Sequence, residues 1–291
     1  MTFETWTRGS ALLFLALAVT SLVFVRVSAQ ASSSVTYVAV ADAGGTPVLG
    51  LAAKDFAVRV DDRDQTVLDV RPAAEPVSLV FVIDLHTDDI LSVRAAMTSV
   101  VDALRERSPA TRVGVRLLQS RGVAFASVQD AAAMDRLVGQ VISGGYSFLP
   151  DIVEAANALE KETTMRRVVL AMVSLEPRTG GRSERLEPQQ IAGALKATGT
   201  ALWGVEIAPS GGITWTETVM ARVTHLSGGR GETINNTLSL AKTARGLTDL
   251  LLSQYAVTYT LPLPPTGPGD LLIGVRRNGV KVTAPAWATE R

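Results

Sequence analysis

The sequence predicts an α/β fold, in which a doubly wound, mostly parallel sheet is joined to a small β domain. Strand-like and helix-like segments alternate from Val77 to Gln254, a rhythm typical of parallel sheets with helical crossovers. Two of the strands, at 78–83 and 167–173, are unbroken apolar runs, as expected where helices cover both faces of a sheet. Segments with β character lie on either side of this region.

The composition excludes several classes of function. The chain has 291 residues, 28 Lys and Arg against 28 Asp and Glu, and no Cys. A chain with no basic excess is unsuited to non-specific nucleic-acid binding, so we expect no nucleic-acid partner. Without Cys there are no disulfides, thiolate zinc sites, iron–sulfur clusters or Cys nucleophiles.

Residues 1–29 have the pattern of an export signal. A short segment containing Arg8 precedes an apolar run from Ala11 to Val25, and Val27-Ser28-Ala29 places small residues before Gln30. The run is shorter than the roughly 20 residues of a membrane span, which favours a cleaved signal peptide over an uncleaved anchor. Both alternatives predict a secreted, periplasmic or cell-envelope protein. Contact with the membrane is expected only through this segment, if it is not cleaved.

The first β segment, residues 30–76, is expected to form a small antiparallel unit. Its alternating, β-branched runs predict three strands, at Val35–Ala41, Ala57–Val60 and Thr66–Val70. Polar and Gly-containing turns separate them, and a Pro- and Ala-containing linker ends the segment.

The α/β domain is expected over residues 77–254. Apolar runs predict strands at Ser78–Ile83, Arg112–Leu118, Val123–Val128, Arg167–Val173 and Ala201–Ala208. Helical periodicity predicts helices at 90–104, 131–142, 152–159, 189–197, 219–226 and 238–253. A short turn joins the second and third strands, which predicts one antiparallel edge strand.

The second β segment, residues 255–291, contains three further predicted strands, at Tyr255–Leu261, Leu271–Arg276 and Val280–Thr283. Asn278-Gly279 stands between the last two and predicts a two-residue hairpin. We expect the two β segments to pack together, with the α/β domain inserted between them.

Six motifs follow one another along the chain. They are Pro47-Val-x-Gly50-Leu-x-x-x-Asp55-Phe56, the strand ending at Asp84, Gly144-Gly145, Arg166-Arg167-Val-Val-Leu, Gly228-Gly229 and Gln254-Tyr255. In this order they resemble the von Willebrand factor type A domain, and in particular the bacterial secreted VWFA-related family. The resemblance covers about residues 35–285 and implies a Rossmann-like fold that binds a protein or peptide partner.

The resemblance also implies a candidate site. Intact members of that family hold Mg²⁺ at a metal-ion-dependent adhesion site, formed by Asp-x-Ser-x-Ser, a Thr and often a later Asp. Here Asp84 matches the first Asp, while His86 and Asp88 stand at the two Ser positions. Ser147 is the best match for the Thr, and Leu175 stands where the late Asp would be.

Three interpretations of this site remain open. Asp84, Asp88 and Ser147 would hold Mg²⁺ or another divalent cation, since hard cations prefer oxygen ligands. Alternatively, Asp84, His86 and Asp88 would hold Zn²⁺ or Mn²⁺. The third interpretation, which we favour, is a degenerate loop with no cofactor, in which Asp84 caps the following helix.

The function predicted from these features is that of an exported, non-enzymatic binding or adhesion module with a partner in the cell envelope. The partner-binding candidates are Asp84, His86, Asp88, Ser147 and Trp215, since an exposed Trp often anchors an interface. The alternatives are a metal-dependent enzyme using Asp84, His86 and Asp88, and an envelope scaffold. No Gly-x-Ser-x-Gly nucleophile motif is present.

Overall fold

The computed structural model describes residues 32–85, 90–116, 122–140, 148–174, 187–208, 215–262 and 269–288. The segment Ser33–Arg291 forms one compact unit. Across the described residues, no helix combines the length and apolar character needed to cross a membrane.

The described residues form strands and α-helices in the alternation that the sequence predicts. The strands are β1 (Ser33–Asp42), β2 (Phe56–Val60), β3 (Arg63–Gln65), β4 (Val67–Pro72), β5 (Val77–Asp84), β6 (Arg112–Arg116), β7 (Val123–Ser127), β8 (Arg166–Ser174), β9 (Thr200–Ile207), β10 (Gly231–Ile234), β11 (Tyr255–Thr260), β12 (Leu271–Val275) and β13 (Val280–Thr283). The helices are α1 (Ile90–Arg107), α2 (Ala131–Gly139), α3 (Phe148–Leu159), α4 (Pro188–Thr198), α5 (Trp215–Ser227) and α6 (Leu240–Leu252).

The central sheet has six strands in the order β10-β9-β8-β5-β6-β7. All neighbouring strands are parallel except β6 and β7, which pair antiparallel at one edge. The predicted fold class, a doubly wound and mostly parallel α/β sheet, is confirmed, as is its antiparallel edge strand. Strand β10 was not predicted from the sequence, because it has only four residues, follows a Gly pair and contains no long apolar run.

Helices cover both faces of this sheet because its strands are apolar on both sides. Leu79 and Phe81 of β5 contribute to one core, together with α1, α2 and α6. Val80 and Val82, the alternate residues, contribute to the other core with α3, α4 and α5. This two-sided burial explains the unbroken apolar runs of β5 and β8.

The two β segments form a sandwich of two smaller sheets. One has the order β13-β1-β11-β4 and the other β12-β2-β3, so strands from both ends of the chain pair in each. The predicted hairpin at Asn278-Gly279 is wrong, because β12 pairs with β2 whereas β13 pairs with β1. The predicted antiparallel unit of the first three strands is also wrong, since β1 and β2 lie in different sheets. In both cases the chain crosses between the sheets at a turn.

Tyr255 links two of the motifs that are about 200 residues apart in the chain. Its hydroxyl donates a hydrogen bond to the Val48 carbonyl (2.9 Å) and accepts one from the Leu51 amide (3.1 Å). Its ring meets the Phe56 ring edge-on, with centroids 5.6 Å apart. The Pro47–Phe56 motif and the Gln254-Tyr255 motif therefore form one structural contact.

Arg166 and Arg167, at the start of β8, bind the ends of two helices. Arg166 donates through Nη1 to the Leu251 carbonyl at the end of α6 (3.0 Å) and to Oε1 of Gln254 (3.1 Å). Arg167 donates to the Thr198 carbonyl at the end of α4. Neighbouring residues of a strand point to opposite faces, and a cation is favourable at a helix C-terminus. This Arg pair therefore fastens one helix on each face of the sheet.

Candidate partner-binding site

The carboxyl ends of β5 and β8 lie at the point where the sheet changes its direction of winding. β5 is followed in the chain by β6 on one side, and β8, on its other side, is followed by β9. In open α/β sheets, ligands bind in the crevice outside such a switch point. Asp84 is the last residue of β5, and its Cα is paired with that of Val173.

Asp84 is a buried carboxylate at this edge. Its exposed fraction is 4%, and Leu85, which follows it, is also buried. The hypothesis that Asp84 caps the next helix concerns residues 86–89, which lie outside the described residues. Placing a carboxylate at the end of a buried strand costs free energy unless its charge is compensated.

Arg116 forms ion pairs with two carboxylates near Asp84. It is the last residue of β6 and has an exposed side-chain fraction of 9%. Its Nε lies 3.2 Å from Oδ1 of Asp151, and its Nη2 lies 2.5 Å from Oε2 of Glu154. Both acids lie on α3, where Asp151 is in the first turn and its charge is favoured by the helix dipole.

The environment nevertheless raises the pKa of the Asp151 carboxyl. Burial is the main cause, and it is opposed by the positive charge of Arg116. The negative charges of Glu154 and Asp84 raise the pKa further. Asp151 therefore interacts with Asp84 and Glu154 as like charges, while Arg116 pairs with Asp151 and Glu154. Among the described residues, this part of the carboxyl edge carries more negative than positive charge.

A further buried carboxylate lies at the same edge of the sheet. Glu206, next to the last residue of β9, has an exposed fraction of 4%, and the Thr233 hydroxyl lies 3.4 Å from its Oε2. Glu206 pairs in register with Val173 of β8, so it is two strands away from Asp84. Two of the described strands, β5 and β9, therefore carry a buried carboxylate at this edge.

Of the candidate site residues, the structure places the side chain of Asp84 alone. His86, Asp88, Ser147 and Leu175 lie outside the described residues. Trp215 is the first residue of α5, and its side chain is likewise outside the described part. The Mg²⁺ set of Asp84, Asp88 and Ser147 and the Asp84, His86 and Asp88 set therefore stay predictions. Within the described ranges, no group of three His, Cys, Asp or Glu side chains is arranged to hold a metal ion.

Arg116, Asp151 and Glu154 were not predicted as site residues from the sequence. A partial signal was present, because Arg116 falls near the end of the predicted strand Arg112–Leu118 and therefore near the carboxyl edge. Asp151 and Glu154 are three residues apart on a helix, so they lie on the same face. Only the packing of α3 against the sheet shows that the Arg and the acids meet.

Comparison with known proteins yields similarities of structure. No family model matches the sequence, and no curated protein matches it. A von Willebrand factor type A protein from Catenulispora acidiphila is similar at a TM-score of 0.47 and 12% identity, covering 89% of this chain and 75% of that one. The human COPII-coat protein Sec24c is similar at a TM-score of 0.44 and 13% identity. That match covers 74% of this chain and 44% of Sec24c, so the chain spans less than half of that protein.

The class of fold follows from the central sheet. The chain has a doubly wound, Rossmann-like α/β domain, with a mostly parallel central sheet between two layers of helices. The element order on which the sequence resemblance depends is present in the described residues.

Proposed function

We propose that this chain is an exported, non-enzymatic protein-binding or adhesion module whose site is a degenerate metal-ion-dependent adhesion site. Its partner, a protein or peptide of the cell envelope, would contact the carboxyl-edge segments 84–89, 144–151, 174–187 and 209–216. The supporting observation is the position of Asp84 at the topological switch point of the sheet.

The proposed mechanism uses a rigid sheet to present variable segments. Strands buried on both faces fix the positions from which these segments leave the sheet, and binding residues are concentrated on such segments. The described carboxylates around Arg116 favour a basic segment of the partner. If a divalent cation were held by Asp84, Asp88 and Ser147, it would favour an acidic partner group instead. The charge of the partner's contact residues therefore distinguishes a site without metal, which favours a basic partner, from a site that holds a cation, which favours an acidic one.

Site-directed photo-crosslinking tests the proposal. A photo-reactive amino acid replaces His86 in the full chain, expressed in its native envelope, and a matched chain carries it at Leu272. Leu272 is 61% exposed and lies on β12 of the sandwich. We expect one partner to be captured from position 86 and not from position 272. Capture from position 272 alone would contradict the proposal and support a scaffold that docks through its β sandwich.

A charge-removal variant tests whether the degenerate site itself takes part. Replacing Asp84, His86 and Asp88 with Ala should abolish the crosslink formed from a photo-reactive residue at Trp215. The control replaces Asp62 and Asp64 with Ala, since both side chains are more than nine-tenths exposed on a distant turn. Unchanged crosslinking by the triple variant would remove this site from the proposal.

Metal titration separates the binding module from the alternative enzyme. Calorimetric titration of the full chain with Mg²⁺, Mn²⁺ and Zn²⁺ should show no tight binding if the site is degenerate. Stoichiometric Zn²⁺ or Mn²⁺ that is lost in the triple variant would favour the metal-dependent enzyme. Millimolar Mg²⁺ binding would instead favour an intact adhesion-type site.

Export is tested by the mass of the chain recovered from the envelope. A chain beginning at Gln30 would establish a cleaved signal peptide, and a full-length chain in the membrane fraction would establish an uncleaved anchor. Recovery of the full-length chain in the cytoplasm would contradict the export part of the proposal.

A further inference from the structure

A cavity of about 460 Å³ lies at the amino edge of the central sheet. The first residues of β8 and β9, the last turn of α4, β1 and the segment around Trp287 line it. Asp84 is paired with Val173 near the end of β8, six residues beyond Arg167, which is about 20 Å along a strand. The cavity is therefore separate from the proposed partner-binding edge.

The cavity wall is positively charged. Arg166, Arg167 and Lys196 line it, and the described lining includes no Asp or Glu. The Arg166 side chain donates to the Glu75 and Leu251 carbonyls and to the Gln254 amide oxygen, all of which are neutral acceptors. Burial lowers the pKa of the Arg166 guanidinium, against smaller opposing effects of Tyr37 and Glu75. A buried cation whose acceptors are neutral creates a field that favours an anion nearby.

Lys196 is the cation best placed to bind one. It is half-buried in the last turn of α4, and its Nζ lies 5.8 Å from the centre of the Trp287 ring. Within the described part of the chain, no carboxylate forms an ion pair with this ammonium. An ammonium partly removed from water gains from an anionic ligand, since the ring alone supplies only a weak interaction.

Two aromatic rings, those of Tyr37 and Trp287, contribute to the apolar part of the wall. Trp287 is buried beside Lys196, and the Arg166 guanidinium lies 5.7 Å from the centre of the Tyr37 ring. The volume lies within the range of small-molecule sites, which combine apolar walls with a few placed polar groups.

We propose that this cavity binds a small organic anion, a carboxylate carried on a flat apolar body. The carboxylate would pair with Lys196 in the field of Arg166, and the apolar body would lie against Trp287 and Tyr37. The proposal does not depend on the proposed function, because it concerns the opposite edge of the sheet.

Equilibrium dialysis of the purified full chain with 2-naphthoate and its neutral analogue 2-naphthamide tests the proposal. We expect one saturable site for naphthoate and binding of the amide that is at least about tenfold weaker, because the amide lacks the charge. Lys196→Met keeps the apolar stem against Trp287 and should weaken naphthoate binding about tenfold. Lys242→Met, at an exposed position on α6, is the matched control and should leave binding unchanged.

A steric variant keeps the test independent of charge. Ala197 is exposed and lines the cavity, so Ala197→Trp should obstruct it with little effect on folding and weaken both ligands. Equal affinity for naphthoate and naphthamide, unchanged binding by Lys196→Met or Ala197→Trp, or no saturable binding up to about 10 mM would each overturn the proposal.

Discussion

Arg116 shows how a single side chain stabilises the candidate site. Its guanidinium pairs with Asp151 and Glu154, and Asp84 lies close enough to Asp151 to raise the pKa of that carboxyl. Arg116→Met should lower the free energy of unfolding by about 2 kcal/mol, because it leaves partly buried carboxylates without their partner. Asp151→Asn should cost less than about 1 kcal/mol, since burial already disfavours the charge that it removes. Urea unfolding at neutral pH measures both changes.

The control for this comparison is Arg59→Met. Arg59 pairs with Asp62 at 3.4 Å on an exposed turn, and such a pair contributes less than about 1 kcal/mol.

Because the pKa of Asp151 is raised in the fold, the folded state holds the proton more tightly than the unfolded state. The Asp151 contribution to stability is therefore present at low pH and is lost as pH rises through the folded pKa. Asp151→Asn should abolish this loss, and an equal loss in the variant would contradict the assignment.

Tyr259 carries a second pH-dependent contribution, in the β sandwich. Its side chain is fully buried, and burial raises the pKa of its hydroxyl, with a smaller lowering by Ser34. The folded state thus favours the neutral phenol. This stabilisation is complete below the ordinary Tyr pKa of about 10 and is lost as pH rises through the folded value. Tyr259→Phe should therefore reduce the loss of stability between pH 9 and pH 11, and parallel unfolding curves for the two proteins would refute this.

Gly228-Gly229 is an element boundary at which the chain passes close to other backbone. A Cβ at position 229 would lie 1.7 Å from the Leu202 carbonyl oxygen, and Gly228 has a φ of +78° with Pro285 beside it. Gly229→Ala should destabilise the protein by at least about 2 kcal/mol, because backbone must move. Gly246→Ala, in the open interior of α6, should stabilise it by about 0.5–1 kcal/mol. Thermal unfolding of the pair checks both signs, and destabilisation by both would show that the contact at 229 is not the cause.

The elements themselves differ in how far the sequence predicts them. The apolar runs of β5 and β8 and the helical periodicity suffice for the α/β sheet, because burial on both faces leaves a local pattern. The pairing of β12 with β2 and of β13 with β1 leaves no such pattern, since a Gly at positive φ, such as Gly279, serves a hairpin and a crossover between sheets equally well. The cluster of Arg116 with Asp151 was missed for the same reason. Its members are distant in the chain, and only the packing of α3 on the sheet brings them together.

The motifs that carry the family resemblance act mainly as structural anchors of these elements. Tyr255 holds the Val48–Leu51 loop, Gln254 accepts from Arg166, and Arg166 binds the end of α6. These contacts join the beginning, middle and end of the chain. These contacts do not involve His86 or Leu175, the positions at which the sequence departs from the adhesion-site pattern. The motifs therefore predict the fold, whereas the function depends on the positions that depart.

At the scale of the whole molecule, β1 joins the sandwich to the α/β sheet. Ala39 and Ala41 are buried in the core that contains α6, whereas Val38 and Val40 are buried in the sandwich core. The sandwich cannot unfold without exposing apolar surface of α6, so we expect Ser33–Arg291 to unfold in one transition. Calorimetry should give a single peak whose calorimetric and van't Hoff enthalpies agree.

Two core variants test this coupling from opposite sides. Val40→Ala removes methyl groups from the sandwich core. Leu104→Ala, on α1, leaves a cavity in the core between the central sheet and its helices. Each should destabilise the protein by about 2–3 kcal/mol and move the same single peak to lower temperature. Two independently folding domains would behave differently, because Val40→Ala would then shift one of two peaks and leave the other in place. A single shifted peak in both variants would establish that the chain's two ends and its inserted α/β region form one cooperative unit through β1.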